Sequence, residues 1–266
     1  MTWRLEPQPH ETFDRNALQA VIWQLRFDPI LKMSARVPDF QDRIRHRFPG
    51  FEKVTTQSVE LSGDHFRVSS DDEFHFRAKG EPSSLILGTQ SVALEYRRHQ
   101  HRAVLFQDVE LVLAALQEIH TAISPVRLGL RYVNGIDRDR LQQDVGRPLE
   151  WQDLVSQDFL RAPAGLADLD GTAFVADITS PCSSGAMRLR YGIVPEDGRS
   201  LFRIDVDRFQ ETGIAISTVR DSVAVFANDI FSVFRNACGP ALLEWMKSDA
   251  TGTLEQPGVS IDVSGR

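Results

Sequence analysis

Cysteine is nearly absent from this chain. Only Cys182 and Cys238 occur in 266 residues, which suits a reducing compartment better than a disulfide-stapled scaffold. Long hydrophobic runs are missing too. A membrane-spanning helix needs ~20 apolar residues in succession, and the most apolar stretch, Leu111–Leu116, is interrupted by Gln117 and Glu118. The opening Met1-Thr-Trp-Arg-Leu-Glu-Pro has no apolar centre, so it does not read as a secretory signal. A cytoplasmic location and no membrane contact are therefore expected. Histidine is lacking from the second half; none follows His120. A Cys–His or Ser–His pair around Pro181-Cys-Ser-Ser-Gly185 would have to borrow its imidazole from the first half. That segment also lacks the Gly-x-Ser-x-Gly pattern of a nucleophile elbow and reads as a hairpin turn. No Gly-x-Gly-x-x-Gly or Gly-Lys-Ser/Thr loop is present to cradle a phosphate. No catalytic constellation, metal set or cofactor is expected on these grounds.

Charge of one sign is also scarce in one half. The net charge is -7, yet residues 1–140 carry 19 basic and 19 acidic side chains, whereas residues 141–266 carry 11 against 18. The acidic balance of the second half disfavours a general nucleic-acid binder, since phosphate neutralisation supplies most non-specific affinity. It leaves room for a local basic groove in the first half.

What is there is ordinary globular composition, 42% hydrophobic and 25% charged, with clear periodicity. Val21, Trp23, Leu25 and Phe27 alternate with Gln24, Arg26 and Asp28, the pattern of a half-buried strand over 17–28. A short helix is predicted from Pro38 to Arg47, with Phe40 and Ile44 inward and Arg43, Arg45 and Arg47 outward. Residues 51–97 read as an antiparallel meander through Val59, Leu61, Phe66, Val68, Phe74, Phe76, Leu85, Leu87, Val92, Leu94 and Tyr96. An amphipathic helix over 107–124 follows, then a strand over Arg127–Val133. Residues 138–171 are rich in Asp, Gln and Pro and form a connecting segment, with one helix expected near Trp151–Phe159. Strand patterns return at Phe174–Ile178, Met187–Ile193 and Phe202–Val206. A second long helix starts near Ser217 or Thr218, either of which suits its cap.

The two helical stripes superpose at an offset of 114: Val109 on Val223, Val112 on Phe226, Leu116 on Ile230 and Ile119 on Val233. The strands before them superpose at 110, Val92, Leu94 and Tyr96 on Phe202, Ile204 and Val206. The expected fold is therefore α+β: two antiparallel sheet units, each covered by a long amphipathic helix, as an internal repeat. The corresponding boundaries are 1–137 and 172–247 for the two units, 138–171 for the connection and 248–266 for a flexible tail. Any two amphipathic helices can be slid into register, so helix periodicity alone does not establish a duplication.

Few residues invite a chemical role. The basic run Tyr96-Arg-Arg-His-Gln-His-Arg102 contributes Arg97, Arg98, His99, His101 and Arg102, and together with Arg43, Arg45, His46 and Arg47 is the best candidate contact for an anion or RNA. The bland alternative is a solvated hairpin tip. Arg127 and Arg131 share a strand face around Gly129 and are suited to clamping a phosphate or carboxylate, or to pairing acids on a neighbouring strand. Asp205 and Asp207 point the same way from one strand, as two metal-binding or acid–base carboxylates would. With Arg203 and Arg208 adjacent, an ion-pair ladder explains them as well.

Three segments then carry a resemblance: Asn16-Ala-Leu with Leu25-Arg-Phe-Asp-Pro29, Val37-Pro-Asp-Phe-Gln-Asp-Arg-Ile-Arg-His-Arg-Phe-Pro49, and Val126-Arg-Leu-Gly-Leu-Arg-Tyr-Val-Asn-Gly-Ile136. With the later Ile-Asp-Val strand and the helix running Asp229-Ile-Phe-Ser-Val-Phe, they resemble a sporadically distributed bacterial family of similar length. The resemblance covers most of residues 16–247, and the stretch 140–171 departs from it in composition. It implies no activity. The patchy distribution implies an association with mobile genes such as toxin–antitoxin or phage-defence loci. The expected function is a non-enzymatic protein-interaction or regulatory subunit with another protein as partner. An RNA-binding or RNA-processing role for the Arg/His-rich hairpin is the alternative, and a small-molecule sensor with ligand between sheet and helix is a third.

Overall fold

The computed structural model describes residues 6–62, 65–97, 101–160, 173–196 and 198–248, with side chains outside 56–71. The order of elements is β1 (Leu18–Phe27), α1 (Met33–Ile44), β2 (Gly50–Ser62), β3 (His65–Arg77), β4 (Ser83–Leu87), β5 (Ser91–Tyr96), α2 (Arg102–Ile119) and β6 (Pro125–Asp137). Then come α3 (Arg138–Val145), α4 (Trp151–Leu154), α5 (Gln157–Leu160), β7 (Ala176–Pro181), β8 (Ala186–Glu196), β9 (Arg199–Gln210), α6 (Val219–Ala237) and α7 (Pro240–Lys247).

The chain is α+β as expected, but its strands form one nine-stranded sheet rather than two sheet units. Its order is β2-β3-β4-β5-β1-β6-β9-β8-β7. Period-2 alternation reports which face of a strand is buried and is silent about its lateral neighbour. Here β6 lies between β1 and β9, so the early and late strands share one ladder. Pairing is antiparallel for β1 with β5, β2 with β3, β3 with β4, β4 with β5 and β7 with β8.

Two compact units are present, each discontinuous in sequence. The first comprises 21–131 with 208–227; the second comprises the described residues of 1–20, 132–207 and 228–266. In the first, register places Val21, Trp23 and Leu25 against Tyr96, Leu94 and Val92, then Leu85 and Leu87, then Phe76 and Phe74. All are buried. The Phe40 ring of α1 sits 5.8 Å from Phe76, and Asp108 of α2 accepts from the Tyr96 hydroxyl at 2.9 Å, so both helices lie on this face. In the second unit, Trp151 of α4 and Phe174 lie against Phe202, and Phe159 of α5 meets Tyr191 edge-on at 5.0 Å.

Several helix boundaries differ from the periodicity. α1 starts at Met33, so Pro38 lies inside it rather than in its first turn. An interior Pro costs about 3 kcal/mol, which the buried stripe Met33, Val37, Phe40 and Ile44 offsets. α2 begins five residues early, at Arg102, because Leu105 extends its buried face by a turn. The single helix expected over 151–159 is two one-turn helices. Val155 between them is extended (φ -130, ψ 138) and forms a β-bridge to Cys238. α6 follows a 3-10 turn at Ile216–Thr218, and its stripe Val219, Val223, Phe226, Ile230, Val233, Phe234 and Ala237 is buried throughout. Among the described residues, no helix is long and apolar enough to cross a membrane.

Candidate functional site

Alternation along the strands of the first unit creates a second face, turned away from α1 and α2. Register aligns Ile22, Glu95, Ser84 and Arg77 in one row and Gln24, Ala93, Ile86 and His75 in the next. Ile22 and Ala93 form a low apolar floor, 8% and 6% exposed, between the longer Gln24, Glu95 and His75. Gln24 Oε1 accepts from Arg127 Nη1 at 3.4 Å, which brings Arg127 onto this face. The Arg127 guanidinium also stacks 4.9 Å from the Phe209 ring centre. His75 Nε2 lies 3.3 Å from Glu73 Oε2.

Glu95 is the unusual member of this group. Its Oε1 is buried and has no hydrogen-bond partner in the described structure. Burial holds its carboxyl above the ordinary value of 4.5, against the pull of Arg97 and His75 and with a further push from Glu73. The folded state thus binds this proton more tightly than the unfolded chain does. Stability from this group falls as pH rises from the unfolded value through the raised one. Glu95→Gln removes that loss. The variant should be more stable than the parent at pH 7, and the gap should close below about pH 4; urea midpoints at the two pH values measure it, and a variant less stable at pH 7 would contradict it.

The basic residues singled out by sequence fare unevenly. Arg98 and His99 lie outside the described residues. Arg97 donates its backbone N–H to Pro82 O at 3.0 Å and its side chain is exposed. His101 is exposed at the N-cap of α2, without a side-chain capping bond. Arg102 turns inward: its Nη2 donates to Ala224 O at 2.9 Å and it stacks over Phe106 at 5.0 Å. Arg47, expected outward, is bound by Asp108 and Glu81, which hold its guanidinium above its usual pKa. Arg43 pairs with Glu118 at 2.9 Å and Arg45 approaches Asp42 at 3.9 Å. Arg131 is half-buried. Gly129 does leave room, but for the chain itself: a Cβ there would lie 2.7 Å from Arg127 Nη1.

In the second unit, Asp205 is buried and Asp207 half-buried on β9, on the strand face opposite Phe202, Ile204 and Val206. Both carboxylates act on Arg188, which is itself held by Asp177 at 2.7 Å. Arg203, their expected neighbour in a ladder, pairs with Glu196 at 2.7 Å. Arg208 is fully buried in the first unit, 4.5 Å over the Phe226 ring and donating to Phe209 O at 3.0 Å. No three His, Cys, Asp or Glu side chains among the described residues come together as a metal site would require. Cys238 is buried, its Sγ 3.1 Å from Phe234 O, and burial pushes its thiol up to about 12. It is no nucleophile at neutral pH.

Glu95, His75 and Gln24 escaped the sequence reading. One signal for Glu95 existed: the offset of 110 that superposes the strands sets Glu95 on Asp205. Each is an acid on the strand face opposite the apolar core of its own unit. By fold this is an α+β protein with one nine-stranded sheet. No protein-family model matches the chain, and no curated protein matches it.

Proposed function

We propose that this protein is a non-enzymatic interaction or regulatory subunit that docks a partner protein on the sheet face turned away from α1 and α2. The observation that carries this is the apolar group of buried Ile22 and Ala93 with half-buried Ile86, bordered by Gln24, Glu95, His75 and Arg127. An apolar centre with a polar border of both charges matches the anatomy of protein interfaces. A polyanion asks instead for a uniformly basic surface. The RNA alternative draws less support, because Arg102 and Arg47 are engaged by the chain's own carbonyl and carboxylate groups. The link to a defence or toxin–antitoxin assembly rests on the family resemblance, and a cytoplasmic setting suits a chain with only two cysteines.

A duplicated origin is part of the same proposal. Strand β1 lies beside β5, the last strand before α2, and β6 lies beside β9, the last strand before α6. Two strand-and-helix units, β1 to α2 and β6 to α6, meeting at β1 and β6, would give this order.

Ala93→Arg tests the docking face by filling its floor. The expected result is loss of the protein that co-purifies with the native chain from its host; because Ala93 is buried, the arginine should also lower the unfolding midpoint, by about 1–3 kcal/mol of overpacking, so the comparison uses chain that still unfolds cooperatively. Retention of that protein by a folded Ala93→Arg chain counts against the proposal.

A further inference from the structure

We propose that the C-terminal half of α6, together with α7, binds an extended peptide segment that carries a carboxylate two residues ahead of an aromatic ring. Residues 6–13 of this chain are its built-in occupant, an autoinhibitory strap that a partner protein's segment of the same kind displaces. This site does not depend on the sheet face around Ala93.

Residues 6–13 form neither helix nor strand, and they belong to the same compact unit as α7 and residues 228–237 of α6. They are held as a peptide ligand is held, by main chain and side chains separately. Two polar side chains one turn apart on α6 grip the main chain. Ser232 Oγ accepts from Gln8 N at 3.0 Å while donating to Asn228 O, and Asn236 Nδ2 donates to Glu6 O at 3.1 Å. Such bonds are indifferent to the sequence of the segment, so selection falls to its side chains.

Two kinds of side chain are selected. Phe231 of α6 meets the His10 ring at 5.2 Å and the Phe13 ring at 6.3 Å, the latter nearly parallel at 23°. Glu11, between those two rings in sequence, is paired from both helices. Lys247 Nζ on α7 lies 2.8 Å from its Oε1, and Arg235 Nε on α6 lies 3.8 Å from its Oε2. Asp229 and Glu244 also lie on these helices, yet Glu11 is the acid that both cations pair with. Charge complementarity is thus visible in the occupied site.

The strap is stiff enough to dock and too exposed to lock. Pro7 and Pro9 fix their own φ angles, which lowers the entropy lost on binding. Glu6, Pro7, Pro9, His10 and Thr12 remain exposed in place. The Glu11 and Lys247 side chains are 39% and 52% exposed, and ion pairs in that setting add little hold. Ordering the segment costs backbone entropy that few buried contacts offset. Its release would bare Phe231 beside two cations, the surface an acidic and aromatic guest requires.

The test uses the full chain and a fluorescein-labelled peptide with the sequence of residues 6–15, read by anisotropy. In the parent the tethered strap competes at an effective concentration of order mM. The peptide should therefore bind the parent at least about ten-fold more weakly than the double variant Glu11→Ala, Phe13→Ala, whose own strap is disabled. Peptides carrying Glu11→Lys or Phe13→Ala should lose about three- to ten-fold on that opened chain. Adding Lys247→Glu to the opened chain should shift its preference toward the Glu11→Lys peptide, a change that a merely structural strap does not produce. Hydrogen exchange of the parent needs no variant: the Gln8 amide should exchange far faster than the amides of residues 230–237, because the strap opens while α6 stays closed. Equal peptide affinity for parent and opened chain, or no binding to the opened chain up to about 1 mM, would overturn the assignment. So would a Gln8 amide as protected as those of α6. A dimer of the parent that Glu11→Ala dissolves would give the face to a second copy's strap and overturn the partner-protein occupant.

Discussion

Replacing Asp108 with alanine is expected to cost the fold about 3 kcal/mol, the low end of the scale for breaking a buried ion pair from one side, because the Arg47 side chain left behind is 22% exposed. Asp108 is 4% exposed on α2 and accepts four hydrogen bonds. Arg47 Nε reaches Oδ1 at 3.0 Å and Oδ2 at 3.3 Å, Arg47 Nη2 reaches Oδ2 at 3.1 Å, and the Tyr96 hydroxyl donates to Oδ2 at 2.9 Å. One carboxylate thereby ties the end of α1 and strand β5 to α2. Alanine leaves the Tyr96 hydroxyl, on a residue only 1% exposed, without its acceptor, and strips the guanidinium of its buried counter-charge. Glu81, 2.9 Å from Arg47 Nη2 and more exposed, compensates only part of that loss. Asp108→Asn keeps an acceptor for Tyr96 and should fall between parent and alanine variant. Tyr96→Phe removes one hydrogen bond and should cost about 1 kcal/mol. Urea unfolding measures all three, and a midpoint for Asp108→Ala within error of the parent would reduce the network to surface decoration. Exchanging Arg47 and Asp108 together for apolar residues of similar volume should cost less than Asp108→Ala alone, because no charge is then stranded.

That network also marks where sequence stops being informative. Alternation located β1 to within a residue and assigned Val21, Trp23, Leu25 and Phe27 to the buried face. The stripe of α6 was likewise readable position by position, since helical periodicity depends only on the chain nearby. The Arg47–Asp108 pair spans 61 residues, and no local pattern announces it. An arginine on a helix end looks solvent-facing until the packing of α1 on α2 brings a carboxylate to it. The same limit explains the one sheet. Strands were recognised singly, while the placement of β6 between β1 and β9 is a tertiary choice that no strand's own residues encode.

The candidate site was legible in part for the same reason. Arg127 stood out through its Arg-x-Gly-x-Arg spacing, but its role depends on Gln24, more than a hundred residues earlier, and on Phe209. Glu95 sits in a plain strand between Leu94 and Tyr96, and its chemistry arises from desolvation that only the folded sheet supplies. Its one advance signal, the superposition on Asp205, required trusting the internal repeat.

Gly239→Ala is expected to be as damaging as the loss of Asp108, for a steric reason instead of an electrostatic one. Gly239 is the N-cap of α7 and has ordinary backbone angles, φ -80 and ψ 167, so alanine suits its conformation. The obstacle is space. A Cβ there would lie 2.4 Å from Asp153 O and 2.7 Å from the Leu154 carbonyl carbon, both backbone atoms. Those atoms have little freedom to retreat. Gly239 N donates to Leu154 O at 2.8 Å, Val155 is bridged to Cys238, and Val155 N donates to Trp151 O at 2.8 Å. Leu154 and Val155 are fully buried, and Leu242 and Met246 on α7 are buried beyond them. Relief of the contact therefore requires α4 and α7 to separate, which breaks the Gly239–Leu154 bond and opens the apolar layer between them. Overpacking of this kind costs about 1–3 kcal/mol where side chains can adjust, and more where backbone must move; about 3 kcal/mol or more is the expectation here. Gly239→Ser should behave no better, although serine is a preferred N-cap, because the clash precedes any benefit from its hydroxyl. Thermal unfolding of the two variants decides the matter. A parent-like midpoint for Gly239→Ala would mean that α4 and α7 are less firmly joined than their hydrogen bonds and buried side chains indicate.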